Sequence, residues 1–217
     1  KCLLDLVLNF AYIFEVSEAE TIAMGYTPEN KDDFIETVQI EAPTQSAPIV
    51  CIMDSGVQEE HKYLAPSISS DESISLLPNN TSTSDEVAGG GHGTRVAGAV
   101  LYPKAVPLDG VYQLPCWIRN MRILDENNCL PESVYPPKAI AIAVQKYNVE
   151  NQIPTKIFNH SIGSHRPCEM KHMTPWAAEI DSQSYNHDVL FIQAAGNIST
   201  DVISAYWQAG YPYPEYL

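Results

Sequence analysis

The strongest constraint on the fold is an alternation that begins after residue 48. Ile49-Val-Cys-Ile-Met53 is a short, continuous, β-branched run, the pattern of a strand buried on both faces. Met121-Arg-Ile-Leu124 ends a second such stretch, Lys156-Ile-Phe158 forms a third, and Val189 to Ala194 a fourth. Between them, Pro137 to Tyr147 has helical composition, with a proline where a first turn tolerates one. Thr174-Pro175 reads as an N-cap followed by proline at the first position of a helix running to about Asn186. Strands alternating with helices predict an α/β fold: a doubly wound, mostly parallel sheet with helices on both faces. No internal repeat occurs, and the polar, serine-rich stretch from Pro66 to Gly91 reads as a long surface connection.

The first 47 residues differ. Leu3, Leu4, Leu6, Val7, Leu8 and Phe10 make a short apolar run, and an acidic stretch from Glu15 to Glu36 follows. Glu41 to Pro48, with two prolines and small polar residues, reads as a linker. Residues 1–47 are therefore expected to be the tail of an upstream domain or propeptide plus a linker, and 48–217 the N-terminal part of a larger domain. The chain opens on Lys1 and closes on Tyr216 and Leu217, and reads as part of a longer polypeptide, truncated at its C-terminus.

Composition narrows the function classes. A formal net charge of -15 opposes nucleic-acid binding, which needs a basic face to replace phosphate counterions. Its plain consequence is solubility. No apolar run reaches transmembrane length, so no membrane role is expected. Cys2, Cys51, Cys116, Cys129 and Cys168 are odd in number and widely spaced, without a CxxC pair, so no disulfide framework is indicated. Free thiols suit a reducing cytoplasm better than a secreted setting. Sequons at Asn159 and Asn197 fall among core and site candidates, where a glycan would obstruct, which points the same way.

Three local signals carry chemistry. Asp54-Ser55-Gly56 follows the first strand, and ligands of doubly wound sheets bind beyond the carboxyl ends of the strands. Alone, a strand followed by Asp and Gly is also an ordinary turn. Gly89-Gly-Gly-His92-Gly-Thr-Arg-Val-Ala-Gly98 lets backbone approach closely and places His92 at a helix start. No Gly-Lys-Ser/Thr follows, and the glycine spacing is wrong for a dinucleotide fingerprint. Ala194-Ala-Gly-Asn197 follows the last strand, where an asparagine amide can donate to a developing oxyanion.

Together these segments resemble the subtilisin family, peptidase family S8. Asp54-Ser-Gly matches its Asp-Thr/Ser-Gly motif. His92-Gly-Thr-Arg-Val-Ala-Gly matches its His-Gly-Thr-His-Val-Ala-Gly, with Arg95 in place of the second histidine. Asn159-His-Ser-Ile-Gly163 resembles the strand bordering the primary specificity pocket, and Ala194-Ala-Gly-Asn197 resembles the segment supplying the oxyanion asparagine. The resemblance covers about residues 48 to 199, and intracellular multidomain bacterial members look nearest.

The resemblance implies a serine endopeptidase acting on polypeptides through an Asp-His-Ser triad. Asp54 would orient His92, His92 would act as general base and acid, and Asn197 would donate to the oxyanion. Ser161, Ile162 and Gly163 would pair with substrate backbone. The nucleophile's Gly-Thr-Ser context is absent: Ser55, Ser161, Ser199 and Ser204 all lack it. The serine is therefore expected beyond residue 217, and the fragment by itself is expected to be inactive. A catalytically inactive, peptide-binding or regulatory relative is the alternative. No cofactor is required. Structural calcium occurs in such proteins, but no acidic loop here assigns a site. His160, His165, Cys168 and His172 fall within thirteen residues and offer a rival zinc reading, with permissive spacing. Tyr206, Trp207, Tyr211, Tyr213 and Tyr216 make the C-terminal end aromatic, as in a loop packed on the core. Oligomeric state is not legible.

Overall fold

The computed structural model describes residues 38–88, 91–163 and 173–194, all within the compact unit Thr37–Leu217. Seven strands are present among them: β1 (Gln39–Glu41), β2 (Ile49–Asp54), β3 (Ile74–Ser75), β4 (Val111–Gln113), β5 (Trp117–Arg122), β6 (Ile157–His160) and β7 (Leu190–Gln193). The helices are α1 (Gly93–Leu101), α2 (Pro136–Val144) and α3 (Pro175–His187).

Five strands form one sheet in the order β3-β5-β2-β6-β7, and every pairing is parallel. The continuous apolar run of β2 follows from its central place. Val50 and Ile52 point to one face and pack with Ala97 and Leu101 of α1. Cys51 and Met53 point to the other and pack with Ile140 and Ala143 of α2. Successive side chains of a strand alternate between faces, so a central strand covered on both sides has no polar face. Each fully buried aliphatic side chain contributes about 1.5–3 kcal/mol. The core is thus two layers separated by the sheet, and the doubly wound α/β architecture is present.

Chain direction then fixes where a site can form. From β2 the chain runs through β3 and α1 toward β5, on one side of β2. From β6 it runs through α3 to β7, on the other side. α1 and α3 belong to opposite layers. The carboxyl ends of β2 and β6 therefore flank the crevice at which such sheets bind ligands.

Local structure follows local chemistry. Thr174 caps α3, its hydroxyl accepting from Ala177 N–H at 3.2 Å, with proline next in line. α2 also begins on proline and continues into a single π-turn, Gln145–Val149, closed by Glu150 N–H donating to the Gln145 carbonyl at 2.9 Å. That turn carries the buried Tyr147, whose hydroxyl donates to the Glu72 carbonyl at 2.8 Å.

Two features depart from the sequence reading. β1, within the stretch expected to be tail and linker, pairs in parallel with β4, Ile40 opposite Tyr112. Pro66 to Gly91 is more than a surface connection. It supplies edge strand β3, the buried Ser67 and the buried Asp85. Its apolar residues, Ile68, Ile74, Leu76 and the buried Leu77, are scattered among polar ones without periodicity, and Ser67 and Asp85 are buried as hydrogen-bonded polar groups, so composition hid the segment's part in the fold.

Candidate active site

β2 ends on Asp54, and the backbone turns at once into Ser55 and Gly56. Asp54 is 0% exposed, and its Oδ1 accepts from Ser55 N–H at 2.7 Å. The same Oδ1 lies 2.7 Å from Nδ1 of His92. Burial pushes the Asp54 carboxyl above the ordinary carboxylate range, and the hydrogen bond from His92 opposes that shift. Asp54 Oδ2 is buried without a hydrogen-bond partner among the described residues. A carboxylate whose main neighbour is one imidazole edge is well placed to fix that ring's tautomer, since Nδ1 must carry the proton to donate.

His92 is the N-cap residue of α1, yet its side chain makes no cap hydrogen bond. The ring is turned to Asp54 instead and remains 41% exposed. Glycine at 93 is what permits the pairing. A Cβ there would collide with the Gly56 carbonyl and stand 3.0 Å from the Asp54 Cβ. The helix start could not then come this close to the β2 turn. Arg95 sits one helical turn further on, on the exposed side of α1.

At the end of β6 lies the second group of expected residues. Ser161 is half-buried, its hydroxyl donating to Asn159 Oδ1 at 2.7 Å. Ile162 is buried and Gly163 exposed. The Ile162 carbonyl accepts from Gln193 Nε2 at 2.5 Å, while Gln193 Oε1 accepts from His160 Nδ1 at 2.6 Å. Ala194 N–H donates to the His160 carbonyl at 3.2 Å. The ends of β6 and β7 are thereby tied together. Burial pushes the His160 imidazole down to about 4, so it is neutral at pH 7. Its ring stands edge-on to Trp176 at 5.0 Å. Because Ile162 spends its carbonyl and side chain inward, only Ser161 and Gly163 of this trio keep main-chain carbonyls that no partner within the described fold takes up.

Asn197 lies outside the described residues, as do His165, Cys168, His172 and the C-terminal aromatic residues. Of the four candidate zinc ligands, only His160 is described, and its Nδ1 is engaged by Gln193. Among the described residues, no group of three or more His, Cys, Asp or Glu side chains is arranged to hold a metal. No helix among them is long and apolar enough to cross a membrane. Cys51, Cys116 and Cys129 are free thiols.

Two polar residues at the site were not anticipated, Asp85 and Gln193. Asp85 sits in a serine-rich stretch with no local pattern to mark it. Gln193 is the one polar residue in the apolar run of β7, which was its only signal.

The family model described as the subtilase family, peptidase S8, matches residues 45–214. A crystal structure of a cold adapted subtilisin-like serine proteinase shares the fold, with a TM-score of 0.50 and 20% identity. The match covers 69% of this chain and 46% of that one, so this chain spans under half of its structural neighbour. No curated protein matches. With the family match extending from before β2 to beyond β7, the chain belongs to the subtilase family.

Proposed function

We propose that this chain carries the acid–base half of a serine endopeptidase, its nucleophilic serine supplied by sequence beyond Leu217. The observation that carries the reading is the 2.7 Å contact between His92 Nδ1 and a fully buried Asp54. In the proposed reaction Asp54 holds the proton on Nδ1, which leaves Nε2 as the base. His92 takes the proton of the serine hydroxyl as it attacks the scissile carbonyl. It returns that proton to the leaving amine, and the imidazolium formed in between is stabilised by the Asp54 charge. Burial strengthens that stabilisation, because the carboxylate acts through a medium of low dielectric. Asn197 is proposed as the donor to the oxyanion, a contribution of about 10²–10³ in turnover for groups in this role.

Substrate is proposed to lie along the segment after β6 as an added strand, hydrogen-bonded to the main chain of Ser161 and Gly163. The inward commitment of Ile162 supports this division, since alternate residues of an edge strand face opposite ways. Main-chain pairing gives affinity with little demand on side chains, consistent with a polypeptide substrate.

Fluorophosphonate labelling of the full-length polypeptide tests the reading. The expected result is one covalent adduct on a serine downstream of residue 217, abolished in His92→Ala. Peptide binding without any adduct would instead establish an inactive, peptide-recognising relative.

A further inference from the structure

His92 occupies the N-cap of α1 but cannot cap it, because its ring is engaged with Asp54. The first N–H groups of a helix need acceptors nonetheless. Two residues from elsewhere in the chain provide them. Gly93 N–H donates to Ser55 Oγ at 2.9 Å, and Thr94 N–H donates to Asp85 Oδ2 at 2.9 Å. Ser55 in turn donates its hydroxyl proton to Asp85 Oδ1 at 3.0 Å. Asp85 is 5% exposed, and its Oδ1 also accepts from Val87 N–H at 3.3 Å.

We propose that Asp85 is the positioning residue of the Asp54–His92 pair, acting through Ser55 and the first turn of α1. The inference rests on the peptidase reading for its catalytic meaning, though not for its geometry. One buried carboxylate holds both halves of the pair. Through Ser55 it grips the turn that follows Asp54, and through Thr94 it grips the helix start that carries His92. A negative charge at that helix end is favourable in its own right. The seat of Asp85 is itself fixed. Gln58 Nε2 donates to the Asp85 carbonyl at 2.6 Å. Asn120 Nδ2 donates to the Thr83 carbonyl at 2.9 Å, and Arg122 to Glu86 Oε2 at 3.0 Å. The segment bearing Asp85 is thereby clamped to β5, the strand beside β2. Only glycine fits at residue 91, where a Cβ would run into the Asp85 carboxylate.

The chain of contacts makes the imidazole's position depend on a residue that touches neither the ring nor any substrate. Loss of the carboxylate removes the acceptor of Thr94 N–H and of the Ser55 hydroxyl, so the helix start is held to the β2 turn more loosely, through Gly93 N–H to Ser55 Oγ and Gln58 N–H to Thr94 Oγ1, while both apolar layers of the core stay intact. Displacement of a catalytic group by about 1 Å costs about 10²-fold in rate.

The test is the protonation pattern of the His92 ring, read by nitrogen-15 NMR on the 217-residue chain, which needs no serine. In the wild type the neutral ring is expected to carry its proton on Nδ1. In Asp85→Ala the two ring nitrogens are expected to average toward a mixed tautomer, and the Nδ1 proton to exchange faster. Ser55→Ala, which removes only the coupling hydroxyl, is expected to show the same change in smaller measure, and Ser55→Thr to restore it. Ser55→Ala also decides the matter if Asp85→Ala fails to fold. In the full-length polypeptide, Asp85→Ala is expected to lower kcat about 10²-fold with KM within about twofold. Ring-nitrogen signals unchanged from wild type in folded Asp85→Ala and Ser55→Ala would overturn the proposal. A full-length polypeptide without turnover would overturn the peptidase reading and leave the NMR outcome to decide on Asp85.

Discussion

Two buried charges sit at opposite ends of the same sheet, and they are treated differently. Arg119 of β5, 3% exposed, lies toward the amino-terminal half of the strands. Its guanidinium is bidentate to Glu72, through Nε at 3.0 Å and Nη2 at 3.1 Å. Its Nη1 reaches the Tyr147 and Ile153 carbonyls and the Thr155 hydroxyl within 3.0 Å. Asp54, at the carboxyl ends, loads one oxygen with two donors and leaves the other without a partner among the described residues. A buried charge that is fully satisfied holds a fold together. One left partly unsatisfied beside a half-exposed imidazole is held at a cost that structure alone does not require. The contrast sets a satisfied scaffold charge beside the proposed site.

The largest effect should come from breaking the scaffold charge. Arg119→Met strands the Tyr147 and Ile153 carbonyls and removes the charge partner of Glu72, which keeps Asn151 Nδ2 as a donor, and is expected to cost about 3–5 kcal/mol of stability. Chemical denaturation measures it. A loss below about 1 kcal/mol would mean that the satisfied network is not structural.

A smaller and pH-dependent effect belongs to His160. Its folded pKa, about 4, lies below the ordinary histidine value of 6.5. The unfolded chain therefore takes up the proton first as pH falls. The stability associated with the neutral, buried ring is complete above about pH 6.5 and is lost as pH drops toward 4, by roughly 3 kcal/mol. The difference in denaturation midpoint between wild type and His160→Met, followed across this window, should isolate that loss. A constant difference would show that the ring does not titrate this way.

Thr174→Ala removes the α3 cap and is expected to cost about 1 kcal/mol, without altering the tie between β6 and β7. Asp54→Asn should act in the opposite direction to Arg119→Met. The carboxyl is raised by burial, so its ionised form weakens the fold at pH 7. A neutral amide should raise the melting temperature slightly there. The gain should shrink as pH falls toward and below the ordinary carboxylate range, where Asp54 is itself protonated.

Much of the fold was legible because burial on two faces leaves a plain mark. The run Ile49–Met53 could be little else than a central strand, and Thr174-Pro175 announced a helix that begins where expected. Short elements escaped: β1 and β3 have three and two residues, too few for any periodicity to register. At the site, Asp54 and His92 were visible through the glycines beside them, which the close approach of β2 and α1 demands. Asp85 was invisible because its importance lies in partners at residues 55, 87 and 94, set by the fold and not by spacing. Ile162 was read with Ser161 and Gly163 as one substrate-facing trio. Its inward carbonyl depends on Gln193, from a strand that no local pattern connects to it.

Whether Asp54 orients His92 for acid–base catalysis is decided by kcat of Asp54→Asn in the full-length polypeptide, measured against a peptide substrate. A fall of about 10⁴-fold with the fold intact is expected, because the amide no longer holds the proton on Nδ1. Turnover within about tenfold of wild type would contradict it, and would make the 2.7 Å contact a structural hydrogen bond and nothing more.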